Sequence, residues 1–183
     1  MSTLFVDTIN EKTTNNGVYI PGHPVQIVSN TYTARFSTNS TSYAEVTGLT
    51  TSITPSSSSS KVLVQISVSW SIYGHGGLKV FRSQGGTDTL LSVGDANTSA
   101  TNQVREAIHD YRTTADASSY GSNSDSITIL DTPATTSAVS YKLFAGVPNS
   151  SSYSITVNRQ YSEGNYAYSA GTISTMTLTE IGG

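Results

Sequence analysis

The chain reads as an all-β protein: an antiparallel β-sandwich, jelly-roll-like, preceded by an N-terminal extended arm. Three observations predict this. In the stretch 61–73, KVLVQISVSWSIY, every even position is apolar (Val62, Val64, Ile66, Val68, Trp70, Ile72), while Gln65, Ser67, Ser69 and Ser71 lie between them. That period of two marks a strand with one buried face; on a helix the same positions would scatter around the axis. Shorter runs of the same kind recur, separated by turn residues every dozen or so positions, the spacing of a sandwich. No segment is framed by helix-capping residues at both ends.

Taken in order, residues 1–24 form the arm and residues 25–183 the sandwich domain. Within the arm, Leu4, Phe5, Val6 and Ile9 make a short extended run. Asn15-Asn16-Gly17 is a turn, because Asn and Gly adopt positive φ cheaply. Val18, Tyr19 and Ile20 form a second short strand, stopped by Pro21-Gly22. Such a hairpin is marginal alone and needs a surface to pack on, so these seven apolar residues are the expected attachment residues. Strands follow at 26–29, 32–37, 43–49 and 51–54, the last ended by Pro55. The serine run 56–60 reads as a solvated loop.

The long strand at 61–73 would span ~40 Å, so a bulge or bend near one end is expected. Gly74-His75-Gly76-Gly77 then reads as a turn, with 78–82 pairing back on the long strand. Further strands are expected at 89–93, 126–130, 139–147, 153–157 and 172–181, with polar loops at 96–102 and 115–125. Segment 104–111 fits either a helical face (Val104, Ala107, Ile108, Tyr111) or a strand face (Arg105, Ala107, His109, Tyr111). The strand is preferred because its surroundings are β.

Composition limits the chemistry. The 183 residues suit one domain plus an arm, and there is no cysteine, hence no disulfide and no thiolate metal site. Charged residues make up 11%, against about 25% in ordinary domains; Ser and Thr supply roughly a third of the chain, far above average usage. With a formal net charge of −3 and scattered Lys and Arg, nothing attracts a phosphate backbone, so nucleic acid is not an expected partner. No apolar run is long enough to span a membrane. The first residues lack the basic and apolar regions of a secretory signal, so synthesis in a cytoplasm is expected.

Catalytic patterns are also missing. His23, His75 and His109 stand in no metal-binding spacing, and read as two turn residues and one strand residue. Gly74-His75-Gly76-Gly77 is similar to a lipase oxyanion loop, but no G-x-S-x-G elbow accompanies it. Gly85-Gly86 lacks the lysine and helix of a phosphate loop. The acidic residues are dispersed, with no acid/base pair in sequence. The expectation is a protein without catalytic residues, metal or cofactor. Trp70, on the apolar face of the long strand, belongs to the core. Tyr161, Tyr166 and Tyr168 lie in YSEGNYAYSAG, a mixture of Tyr, Ser, Gly and Asn such as binding loops use. They are the candidate surface-binding residues, the other reading being a subunit interface.

Val6 to Thr13, VDTINEKT, followed by Asn16-Gly17-Val18 and Ile20, resembles the DTINEKT…GNGVTI segment of tail-fibre and other virion structural proteins of tailed bacteriophages, marine ones especially. ITILDTPATTSA at 127–138 and MTLTEI at 176–181 resemble recurring pieces of the same proteins. The resemblance touches both ends of the chain and leaves 30–123 to stand on its own residues. It implies a β-rich virion part, a homotrimer, in contact with other tail or capsid proteins. A fibre or appendage touching host surface glycans is the role expected first; a capsid decoration or cement protein, clamped to the shell through its arm, is the alternative.

Overall fold

A computed structural model describes residues 22–91, 94–95, 103–112, 121–162, 164–167 and 169–183. The attachment residues Leu4, Phe5, Val6, Ile9, Val18, Tyr19 and Ile20 lie outside the described residues, as does Tyr168. The described chain is all-β and antiparallel, eleven strands in one sheet curled into a half-barrel, a sandwich-like arrangement around one core. No helix among the described residues is long and apolar enough to cross a membrane.

The strands are β1 (Pro24–Tyr32), β2 (Phe36–Thr38), β3 (Ala44–Glu45), β4 (Thr51–Ile53), β5 (Lys61–Gln84), β6 (Thr87–Leu90), β7 (Ile108–Arg112), β8 (Asn123–Asp131), β9 (Val139–Gly146), β10 (Ser154–Val157) and β11 (Ser174–Ile181), with one 3-10 turn at Thr47–Leu49. Within 104–111 only the second half is strand. The separate strands expected at 26–29 and 32–37 are instead one strand to Tyr32 and a short one from Phe36.

β5 organises the fold. Its 24 residues would reach ~80 Å if straight, about twice the width of a domain of this length. It therefore curls, and serves as the central strand of both halves of the sheet. Residues 61–73 pair with β11 and then β10 along one edge, and with β8 along the other. Residues 74–84 pair with β9 on one side and with β7 and β6. The expected turn at Gly74-His75-Gly76-Gly77 is thus corrected: the strand runs through the glycines, and 78–82 continues it instead of folding back.

The inner face keeps one parity throughout. Val62, Val64, Ile66, Val68, Trp70 and Ile72 are buried, and so are Leu78 and Val80 past the glycines. Across the ladder Val64 sits between Leu178 and Ile129, and Ile66 between Met176 and Ile127. From β9, Val139, Tyr141, Leu143 and Ala145 close the core. Each such side chain stabilises the fold by roughly 1.5–3 kcal/mol, which explains why a surface so poor in charge still encloses a firm interior.

Two polar contacts close the curl. Arg82, near the end of β5, donates from Nη1 to both carboxylate oxygens of Asp131, at 3.0 Å each, and Tyr141 Oη donates to Asp131 Oδ2 at 2.9 Å. Asp131 is the ladder partner of Val62, so the strand's two ends meet through one carboxylate. At the same end of the sheet Glu180, fully buried, accepts from Gln26 Nε2 (2.6 Å), Ser56 N (2.7 Å) and Ser56 Oγ (2.6 Å). The serine run is therefore more than a solvated loop: Ser60 is buried, and Ser56 seats a buried acid.

Candidate functional site

The glycines of β5 exist because other groups lie on its bare backbone. Gly74 has φ +89°, and a Cβ there would stand 2.0 Å from the Tyr153 ring. At Gly76 a Cβ would come within 2.5 Å of Gly146 O, and at Gly77 within 2.2 Å of Ile108 O. The missing side chains let Tyr153, β9 and β7 close onto the strand where it passes from one half of the sheet to the other.

On the outer face at that crossing, rings gather. Tyr73 and His75 project there from β5, opposite in parity to the core residues. His75 is the ladder partner of Tyr111, and Gly77 that of His109. The His75 and Tyr111 rings stack at 3.9 Å, and His75 lies 6.1 Å from both His109 and Tyr153. Tyr153 meets Tyr73 edge-on at 6.0 Å, and Tyr73 stacks on Tyr161 at 5.0 Å. The result is a continuous ridge, Tyr161–Tyr73–Tyr153–His75–Tyr111, with His109 beside it. Its ends are open to solvent: Tyr161 is 36% exposed and Tyr111 49%.

A cleft of about 390 Å³ adjoins the ridge, lined by His75, Val104, His109, Pro148 and Asn149. The imidazole of His109 is held from behind, its Nδ1 lying 2.6 Å from Glu106 Oε2. Tyr43 Oη donates to the other oxygen of that nearly buried carboxylate. Lys79 Nζ stands 3.8 Å from the centre of the Tyr43 ring. Burial first, and then the Glu106 carboxylate, push the Tyr43 hydroxyl far above the usual phenol range, so it remains a proton donor. Burial lowers the Lys79 ammonium from its ordinary value, with Glu106 opposing. His109, with one ring nitrogen engaged by Glu106, is itself among the residues that line the cleft. Among the described residues no three His, Asp or Glu side chains group as a metal site.

Of the residues singled out from sequence, Tyr161 ends the ridge. Tyr166 lies in the same loop, 57% exposed, with its ring against Gly164. His75 is a strand residue instead of a turn residue, and His109 is in β7 as expected. The reading of isolated residues missed Tyr73, Tyr153 and Tyr111 as members of one surface. The available signal was the glycine run inside an alternating pattern, which marks close approach by neighbours.

No protein-family model matches the chain, and no curated protein is significantly similar to it.

Proposed function

We propose that this chain is a non-enzymatic structural protein of a tailed-phage virion, a trimeric fibre or appendage exposed on the particle, which docks onto glycans of the host surface through the aromatic ridge. The observation that carries the reading is the run of five rings from Tyr161 to Tyr111, partly open to solvent and edged by Asn149 and His109. Ring faces carry negative charge and accept the C–H faces of sugars, while amide and imidazole groups at the margin bond hydroxyls. The hydroxyl-rich, weakly charged surface suits a partner bound by stacking and hydrogen bonds more than by ion pairs. The sequence resemblance at both ends of the chain supplies the virion setting.

The test is binding of the purified protein to an array of bacterial surface polysaccharides, beside Tyr161→Ala and Tyr111→Ala. Each truncated ring is expected to weaken binding about tenfold, the worth of one good aromatic contact, with an unchanged melting temperature. Undiminished binding by both variants sinks the ridge as the docking site. Antibody labelling of intact particles tests the location: label on the capsid shell instead of the tail would turn the reading to the decoration protein.

A further inference from the structure

We infer that His75 and His109 together hold one divalent transition-metal ion, of the zinc or copper class, with Glu106 orienting His109 from behind. The site goes beyond the glycan and trimer readings and needs neither. It follows from what the glycines of β5 let close in. His75 pairs with Tyr111 and Gly77 with His109, so both imidazoles rise from one face of two adjacent strands, on a diagonal. Diagonal neighbours on a sheet lie within reach of aromatic and long side chains. Gly77 has no side chain, and the Glu106 carboxylate takes that place: a Cβ on Gly77 would lie 2.6 Å from Glu106 Cδ. There the Glu106 side chain is only 4% exposed, with Oε1 accepting from the Tyr43 hydroxyl and Oε2 2.6 Å from His109 Nδ1.

That order of groups is the one metal-binding histidines use. A ligand imidazole commonly gives one nitrogen to a carboxylate, which fixes the ring and raises the basicity of the other. In His109 the nitrogen left is Nε2, which has no hydrogen bond among the described residues. His75 is steadied by the Tyr111 ring, stacked at 3.9 Å, and neither of its nitrogens is bonded among the described residues. The two imidazole centres stand 6.1 Å apart, with 30° between their planes. Two imidazoles on one tetrahedral ion, each nitrogen ~2.1 Å from it, have centres about 5–6 Å apart. A small turn about the side-chain torsions therefore seats an ion between these two. Both rings line the same cleft, where Asn149 is the other polar side chain on the lining. Two imidazoles, with water in the remaining positions, make an open site. Imidazole suits Cu²⁺ and Zn²⁺, whereas magnesium and calcium want oxygen ligands.

Titration of the full chain, prepared without an affinity tag, with Cu²⁺ and with Zn²⁺ tests this, beside electron paramagnetic resonance of the copper form. The expected result is one ion per chain, with two imidazole nitrogens in the copper spectrum. Glu106→Gln is expected to weaken binding about 10–100-fold, the usual cost of losing such a partner. His75→Ala and His109→Ala should each weaken it at least as much, with unchanged near-ultraviolet circular dichroism. His23→Ala and Tyr161→Ala should bind the ion as the unaltered protein does, which separates the site from the remaining histidine and from the glycan ridge. No uptake by the unaltered protein, undiminished binding by any folded variant of His75, His109 or Glu106, or loss of binding in His23→Ala overturns the proposal. Should a histidine variant fail to fold, the copper spectrum of the unaltered protein decides: a single imidazole nitrogen overturns the shared site.

Discussion

Single residues show how tightly this fold specifies its chemistry. Gly74 needs both a positive φ and an empty Cβ position, since Tyr153 lies on it. Gly74→Ala adds left-handed strain to an overpacked contact, and is expected to cost about 2–5 kcal/mol, read as a lowered urea midpoint. Glu180 is a second such residue. Burial alone would raise its carboxyl, but the hydrogen bonds from Ser56 and Gln26 outweigh it and hold the group below its ordinary 4.5. A depressed acid contributes stability that is complete above its unfolded value and is lost as pH falls through its folded one. Urea unfolding between pH 7 and pH 3 should therefore show the native protein weakening below about pH 4.5. Glu180→Gln should be less stable at pH 7 and shallower in its decline. A parallel decline would remove Glu180 from the acid response.

At the scale of elements, the sequence carried the alternation of β5, β9, β10 and β11 clearly, because burial on one face of a pleated strand imposes a period of two. The same logic placed Trp70 in the core, where it is 1% exposed and donates from Nε1 to Asp125 Oδ2 at 2.6 Å. Trp70→Ala is expected to cost about 3–5 kcal/mol. As the only tryptophan, Trp70 also offers a direct check: native emission should be blue-shifted, moving red on unfolding. What sequence could not show was what crossed the glycines. Gly74-His75-Gly76-Gly77 has the composition of a turn, and only tertiary contacts with Tyr153, Gly146 and Ile108 make it the middle of a strand. Ser56 was opaque for a similar reason: its partner, Glu180, is more than a hundred positions away.

For the whole molecule, β5 is the common strand: its outer side passes from Leu63, Gln65 and Ser67 in one half of the sheet to Tyr73 and His75 in the ridge, about 20 Å further along. Copies joined in the proposed trimer would present several ridges together, and linked sites gain avidity without any stronger single contact. The aromatic site was legible only in part, through Tyr161, because its rings come from β5, β7 and two loops that meet only when the sheet curls.

The central place of β5 also sets a schedule for making the protein. Lys61 is paired with Ile181, so one edge of this apolar strand has no covering until some hundred further residues have been synthesised. At roughly 5–20 residues per second that is a wait on the order of 5–20 s, with the most adhesive stretch of the chain uncovered beside other nascent chains. Ending synthesis before Ser174 makes that wait permanent. The shortened protein should collect in the insoluble fraction, while trigger-factor-type chaperones should be found bound to it around residues 62–72. The long strand thus ties the yield of folded protein to the speed of the ribosome.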